Sequence, residues 1–405
     1  MKKFITLLCI CGLVFAESDL IFKEKYVDPV HAAIRDIRHE KIANANAKTE
    51  AILSDSYQRD NRSMYASIEG IDFPLNNDDF TSYFHFPPKH QGLTSSCWAH
   101  AGISFIESET ARNFDKKIKL SLMFIVYYDY LDKAEYFIKT RGAASLRGGS
   151  QVSSVFNVAE KYGLMPEKNY SGNPTEMGDD LGPMHDELEA YLDFIKANDF
   201  WDESTNLKTV RAILDKHLGK IPDVFTYQSK KYTPDSFYKK VLKFKPKKYT
   251  PLQSTLSFTF GEKHEFPFPD HWSKGKDFLN LPLENFYKSI VNTIKAGITV
   301  PIAGDISEAG YNRYTGIAFI PKADIALEDI DQDSREYRIY NGTTGDDHAL
   351  LIVAYTEING VDWFLIKDSA RMAWQSTHPG YYYYRGDYIK LKMLNAIVPT
   401  QLIEK

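Results

Sequence analysis

The chain has 405 residues, 43% hydrophobic and 25% charged, which suits two or three folded units and excludes a fibrous or largely disordered polymer. Its formal net charge of −5 offers no basic field to hold a nucleic-acid backbone. The start Met1-Lys2-Lys3, the apolar run over 4–14 and the small-residue end at Ala16 predict a secretory signal peptide over residues 1–16. The run is too short to span a bilayer, which takes roughly 20 apolar residues, so no membrane span is expected and the mature chain should be periplasmic or extracellular. Cys9 and Cys11 leave with the signal. Cys97 is then the one thiol of the mature chain, with no partner for an internal disulfide.

Residues 17–80 are polar and largely helical in pattern. Asp28 as cap and Pro29 as first helical residue predict a helix to about Ser54, with Val30, Ile34, Ile37, Ile42 and Ile52 as a thin apolar stripe. So narrow a stripe suits packing on another domain, and the segment is either a structural brace or an inhibitory prosegment. Pro87, Pro88 and Gly92 mark a loop. A helix over 97–114 follows, with Trp98, Ala101 and Phe105 on one face and Ser95 or Ser96 as cap. Further helices are expected at 121–139, 151–162 and 184–198, making 81–200 a helical domain. Residues 201–280, rich in Lys, Phe, Pro and Tyr and strand-like at 255–260, read as an insertion or linking region. After a helix at 282–296, the runs 299–304, 349–355, 363–367 and 380–384 predict strands, so 281–405 is a β-rich domain and the fold class is α+β.

The chemistry centres on Cys97. At a helix N-terminus the partial positive charge favours thiolate over thiol, and Gln91, six residues earlier in a loop, can join the Cys97 backbone N–H in binding an oxyanion. Of the 11 histidines, His348 alone opens an apolar strand in the β half, where it can meet Cys97 across a cleft. His31 and His39 lie on the polar N-terminal helix, His264 and His271 in the insertion, and His378 in a turn. His90 and His100 are merely near the cysteine in sequence. Asp368 ends the strand W-F-L-I-K twenty residues later, where a carboxylate can orient the imidazole and stabilise its charged form. Asp346 and Asp347 read as a solvated turn before His348. Thiol, imidazole and water suffice for the reaction, so no cofactor and no metal is expected.

Q-G-L-T-S-S-C-W-A-H at 91–100, D-H-A-L-L-I-V at 347–353 and I-K-D-S at 366–369 resemble the active-site segments of papain-like cysteine peptidases. R-G-G-S-Q at 147–151, K-Y-G-L-M-P at 161–166 and T-P-D-S-F-Y at 233–238 resemble the bleomycin hydrolase and bacterial aminopeptidase C branch, and the resemblance runs from about residue 75 to about 395. It implies a papain-like two-domain fold, a helical domain and a β-barrel-like domain with the site in the cleft between them. Carried over, Cys97 is the nucleophile, His348 the base and acid, Gln91 an oxyanion donor and Asp368 the residue standing where the family has Asn. Gly148 and Gly149 match a glycine pair that lets a substrate backbone lie close. The interval from Cys97 to His348 exceeds the usual roughly 130–150 residues by about 100, in keeping with the inserted 201–280.

Three departures from the pattern stand out: Ala370 and Arg371 replace the usual Trp-Gly, which removes the indole that shields the His contact unless Trp374 substitutes; His100 replaces an aromatic; and Ser95 replaces a Gly. The function expected is an exported cysteine peptidase acting on peptide substrates through a thioester, with aminopeptidase action as one form. The alternatives are a catalytically silent peptide-binding module, or an acyltransferase using the same triad.

Overall fold

The computed structural model describes residues 20–24, 62–144, 146–172 and 180–404. The expected signal peptide and the helix expected after Pro29 lie outside the described residues.

Apolar residues at helical spacing build the first half. Helix α1 (Cys97–Phe114) buries Trp98, Ala101, Gly102 and Phe105 along one side. Gly102 permits the close crossing of α3 (Val152–Tyr162), for an added Cβ would lie 2.5 Å from Val155 Cγ2. Helix α2 (Leu122–Lys139) starts at Ser121, whose hydroxyl accepts the Phe124 N–H at 3.1 Å, a side-chain N-cap. Helices α4 (Gly182–Ala197) and α5 (Glu203–Leu218) complete this layer.

Helix α5 corrects the expectation that the helical domain ends near residue 200. Val210, Ile213, Leu214 and Leu218 form a buried stripe at helical spacing, and α5 packs on α2 and α4. The hairpin β4 (Phe225–Tyr227) and β5 (Lys230–Tyr232), with the single turn α6 (Pro234–Phe237), stays with the same core through Phe225 and Phe237.

The rest of the expected insertion joins the sheet. Strands β6 (Tyr249–Gln253), β7 (Lys263–His264) and β8 (Phe278–Asn280) extend one edge beyond β15 (Met393–Pro399). Residues 255–260, expected to be strand-like, form no strand. Side chains satisfy this backbone instead of a neighbouring strand: Asn280 accepts from Thr255 N and donates to the carbonyls of Thr255 and Phe258, while Glu336 accepts from Leu256 N.

At the centre of the sheet lie β9 (Val300–Gly304), β12 (His348–Ile358), β13 (Val361–Lys367) and β14 (Tyr381–Arg385), with β10 (Tyr311–Asn312) and β11 (Ile317–Ala318) at the far edge. The order is β10-β11-β14-β13-β12-β9-β15-β6-β8-β7. Two-residue alternation sorts its side chains: Leu351, Val353 and Leu365 face the helical layer, while Leu350, Ile352 and Ile366 face a second core under α7 (Leu283–Lys295) and α9 (Gly386–Lys392). Helix α8 (Gln332–Tyr340) packs on α9. Strand β1 (Leu20–Glu24) pairs with β2 (Arg62–Ala66), and β3 (Thr81–Ser82) adds to β12. Among the described residues no helix is long and apolar enough to cross a membrane.

Candidate active site

Cys97 is the first residue of α1, and His348 the first residue of β12. Helix α1 lies against β12, and Lys367 Nζ at the end of β13 reaches Ser104 Oγ on α1 at 2.9 Å, so the two halves are fastened beside the site. Ser96 is the N-cap residue but makes no side-chain cap bond; its hydroxyl meets Thr94 Oγ1 instead, which corrects its expected role. The first turn of α1 thus keeps its N–H groups clear of a capping side chain at the thiol.

His348 is 6% exposed and Asp368 2%. Nε2 of the imidazole lies 2.7 Å from Asp368 Oδ1, which leaves Nδ1 for the Cys97 sulfur, with which the ring is hydrogen-bonded. Burial is the largest influence on His348 and works against its charge. The charges of Asp368 and Cys97, with hydrogen bonds to both, outweigh it and hold the ring well above the ordinary histidine value.

The carboxylate is fixed from every side. Oδ1 also accepts the Ala370 N–H at 2.7 Å, and Oδ2 accepts the Tyr311 hydroxyl at 3.0 Å. Tyr311 stacks on Tyr382 with ring centroids 4.3 Å apart, so this phenol seals the far face of Asp368. Trp374 does not take that place: it packs edge-on against His90, 5.2 Å away, and against Gly380. The shield expected of Trp374 comes from Tyr311, for which the sequence carries no signal.

Gln91 is held to the same strand end. Its N–H donates to Ser369 O and its Oε1 accepts the Ser369 hydroxyl, both at 2.8 Å, while Nε2 donates one hydrogen to Thr94 O, also at 2.8 Å. Ser369, quoted in the I-K-D-S segment without a role, is thus the residue that ties the oxyanion candidate to Asp368. Gly148 presses on Ser95, where an added Cβ would lie 2.9 Å from Ser95 Cβ, and Gly149 meets Asp270. His100 lies on α1, about one turn beyond Cys97. Burial, then the charges of Lys119 and Lys367, hold it well below the ordinary histidine value, so it is a neutral packing residue.

Asp346 and Asp347 are not a simple solvated turn. Gln151 Nε2 donates to Asp346 Oδ2 at 2.7 Å, and Asp347 accepts the Ile306 N–H at 2.9 Å and the Ser307 hydroxyl at 2.6 Å. Together they brace the entry to β12.

No protein-family model and no curated protein matches the chain. Among solved structures, PepW from Lactobacillus rhamnosis HN001 is similar over 93% of this chain and 93% of its own, with a TM-score of 0.66 at 16% identity. The chain has the papain-like fold. The mite allergens Blo t 1 and Der p 1 give a looser likeness, with a TM-score of 0.39 at 15% identity over 82% of this chain and 74% of the other. In the papain-like fold the two layers meet where α1 faces β12, and that seam is where Cys97, His348, Asp368 and Gln91 converge.

Proposed function

We propose that this protein is a cysteine peptidase that hydrolyses peptide bonds through a thioester on Cys97. The observation that carries the reading is the buried relay in which Asp368 holds Nε2 of His348 and so presents Nδ1 to the sulfur. A raised imidazole beside a thiol is placed to take its proton, and the pair then supplies a nucleophile and an acid in contact.

The thiolate attacks the peptide carbonyl carbon, a C–S bond forms and the carbonyl electrons move onto oxygen. The backbone N–H of Cys97 and the second hydrogen of Gln91 Nε2 are the donors for that oxyanion. On its collapse the C–N bond breaks and the imidazolium gives its proton to the departing amine. Water then attacks the thioester, His348 takes its proton, and the acid leaves with the thiolate–imidazolium pair restored. Asp368 keeps the ring in one orientation and favours its charged form throughout.

Cys97→Ala should lower peptide hydrolysis by three orders of magnitude or more, with iodoacetamide labelling lost in step. Undiminished hydrolysis by that variant would exclude the mechanism. Export belongs to the same reading: residues 1–16 act as a cleaved signal, and N-terminal sequencing of protein secreted by the native host should begin near Glu17. A retained Met1 would refute it.

A further inference from the structure

A pocket of about 20 Å³ lies between α1 and the facing ends of β12 and β13, and Lys89, His100, Ser104, Lys119, Lys367 and Ser369 supply its polar lining. The catalytic relay makes no use of it. Asp368 borders the pocket, but its carboxylate is committed to His348, Ala370 and Tyr311, and the Ser369 hydroxyl is committed to Gln91.

Within this pocket Lys367 lacks a counter-ion. It is 8% exposed, and its ammonium gives one hydrogen to Ser104 Oγ at 2.9 Å and keeps the others uncommitted among the described residues. No carboxylate among those residues forms an ion pair with it. Glu107 acts on it only at longer range, because its oxygens are engaged by Leu120 N at 2.8 Å and Lys119 Nζ at 3.2 Å. Burial, with the charge of Lys119 adding to it and Glu107 opposing, lowers the proton affinity of Lys367 to about 7. Nε2 of His100 is likewise buried with no hydrogen-bond partner among the described residues. A buried cation without a counter-ion is costly, and an arriving anion relieves the cost.

Size and wall chemistry narrow the occupant. About 10–15 Å³ holds one water, so this pocket takes a single atom-sized guest and refuses sulfate, phosphate or a carboxylate ligand. Its wall is rich in hydrogen-bond donors, while the carboxylates beside it already accept from other groups. A water must donate as well as accept; a halide ion only accepts, and it brings the missing negative charge. We infer that this pocket is an internal chloride site, with Lys367 Nζ, the Ser104 hydroxyl and the His100 imidazole as its donors. Asp368 follows Lys367 at the end of β13, and His100 lies near the start of the helix that Cys97 opens. The bound ion therefore ties together the two elements that carry the nucleophile and the carboxylate.

Bromide, which scatters anomalously, is the direct probe. Crystals of the unaltered chain soaked in bromide should show an anomalous peak within hydrogen-bond distance of Lys367 Nζ and Ser104 Oγ, a measurement that stands even if a variant fails to fold. In solution, urea titrations in chloride and gluconate salts of equal ionic strength read the same ion: at chloride about ten times its Kd the unfolding constant should fall roughly tenfold. Lys367→Met, which keeps much of the volume, should erase the difference between the two salts, and Ser104→Ala, which keeps the charge, should reduce it. Water in place of bromide, or a chloride effect that survives Lys367→Met at full size, overturns the inference. So does a bromide peak with no chloride effect at roughly 0.15 M salt, which is binding at crystal concentration only. The Cys97→Ala chain should keep the chloride effect, so the ion site stands or falls independently of the peptidase reading.

Discussion

Asp368 has two oxygens and the protein uses both, one on His348 and Ala370 and the other on Tyr311. An amide can keep the hydrogen bond to the ring but contributes no charge. His348 is held well above the ordinary value of 6.5 by Asp368 and Cys97 against the effect of burial. A base whose affinity is raised in the folded chain stays protonated below that raised value and loses its proton as pH climbs through it; the stability this supplies is lost over the same alkaline window. Asp368→Asn should accordingly move the basic limb of kcat/KM to lower pH, by about one pH unit or more, as expected when an ion pair is replaced by a neutral contact. The measurement is a pH–rate profile on a peptide substrate across the neutral and alkaline range. An unmoved basic limb would show that the carboxylate charge does not act on the ring. Tyr311 should soften the change, because its hydroxyl can accept from the Asn NH2 that replaces Oδ2 while the Asn carbonyl oxygen stays on the ring and the Ala370 N–H.

At the scale of elements, Arg335 on α8 is fully buried and spends its guanidinium on three carbonyls: Ser254 after β6, Lys390 on α9 and Leu394 on β15, at 3.0, 2.6 and 3.5 Å. Burial lowers its proton affinity to about 10, still far above neutrality, so the cation persists. Arg335→Met fills much of the space but strands the carbonyls, and the expected loss is on the order of 3 kcal/mol, read as a lower urea midpoint. An unchanged midpoint would mean that water replaces the guanidinium at no cost. Nothing in the sequence singles out α8, because its pattern is polar and only Arg335 is buried. By contrast α1, α2, α3 and α7, and the strands β9, β12, β13 and β14, were legible to within a few residues, since each carries an uninterrupted apolar period between breakers. Helix α5 has such a period as well, but the Lys-, Phe- and Pro-rich composition that follows it masked it. Cys97, His348, Asp368 and Gln91 were readable from local pattern and resemblance. Tyr311 and Ser369 were not, because their roles arise only when segments remote in sequence are folded together.

Over the whole molecule, the described residues 65–80 before the helical domain are built into the β layer. Ala66 N donates to Ala309 O at 2.8 Å, Asn312 Nδ2 donates to Ala66 O at 3.2 Å, and Tyr65 packs edge-on to Tyr314 at 5.2 Å. Phe80 is buried against Tyr383, whose hydroxyl lies 3.0 Å from Asn77 Oδ1. These contacts reach β10 and β14, and β10 carries Tyr311, which seals Asp368. A chain beginning after Phe80 would expose that flank and free β10 from its outer partner. Loss of Phe80 alone is worth about 3–5 kcal/mol when a buried aromatic is removed. The truncated chain should therefore unfold at a clearly lower urea concentration and hydrolyse peptides more slowly, because Tyr311 no longer has a fixed support. Adding back residues 62–80 should restore both properties together. A truncated chain with an unchanged midpoint and higher activity would instead make the segment an inhibitory cover, with its contacts to β10 and β14 serving only to hold it in place.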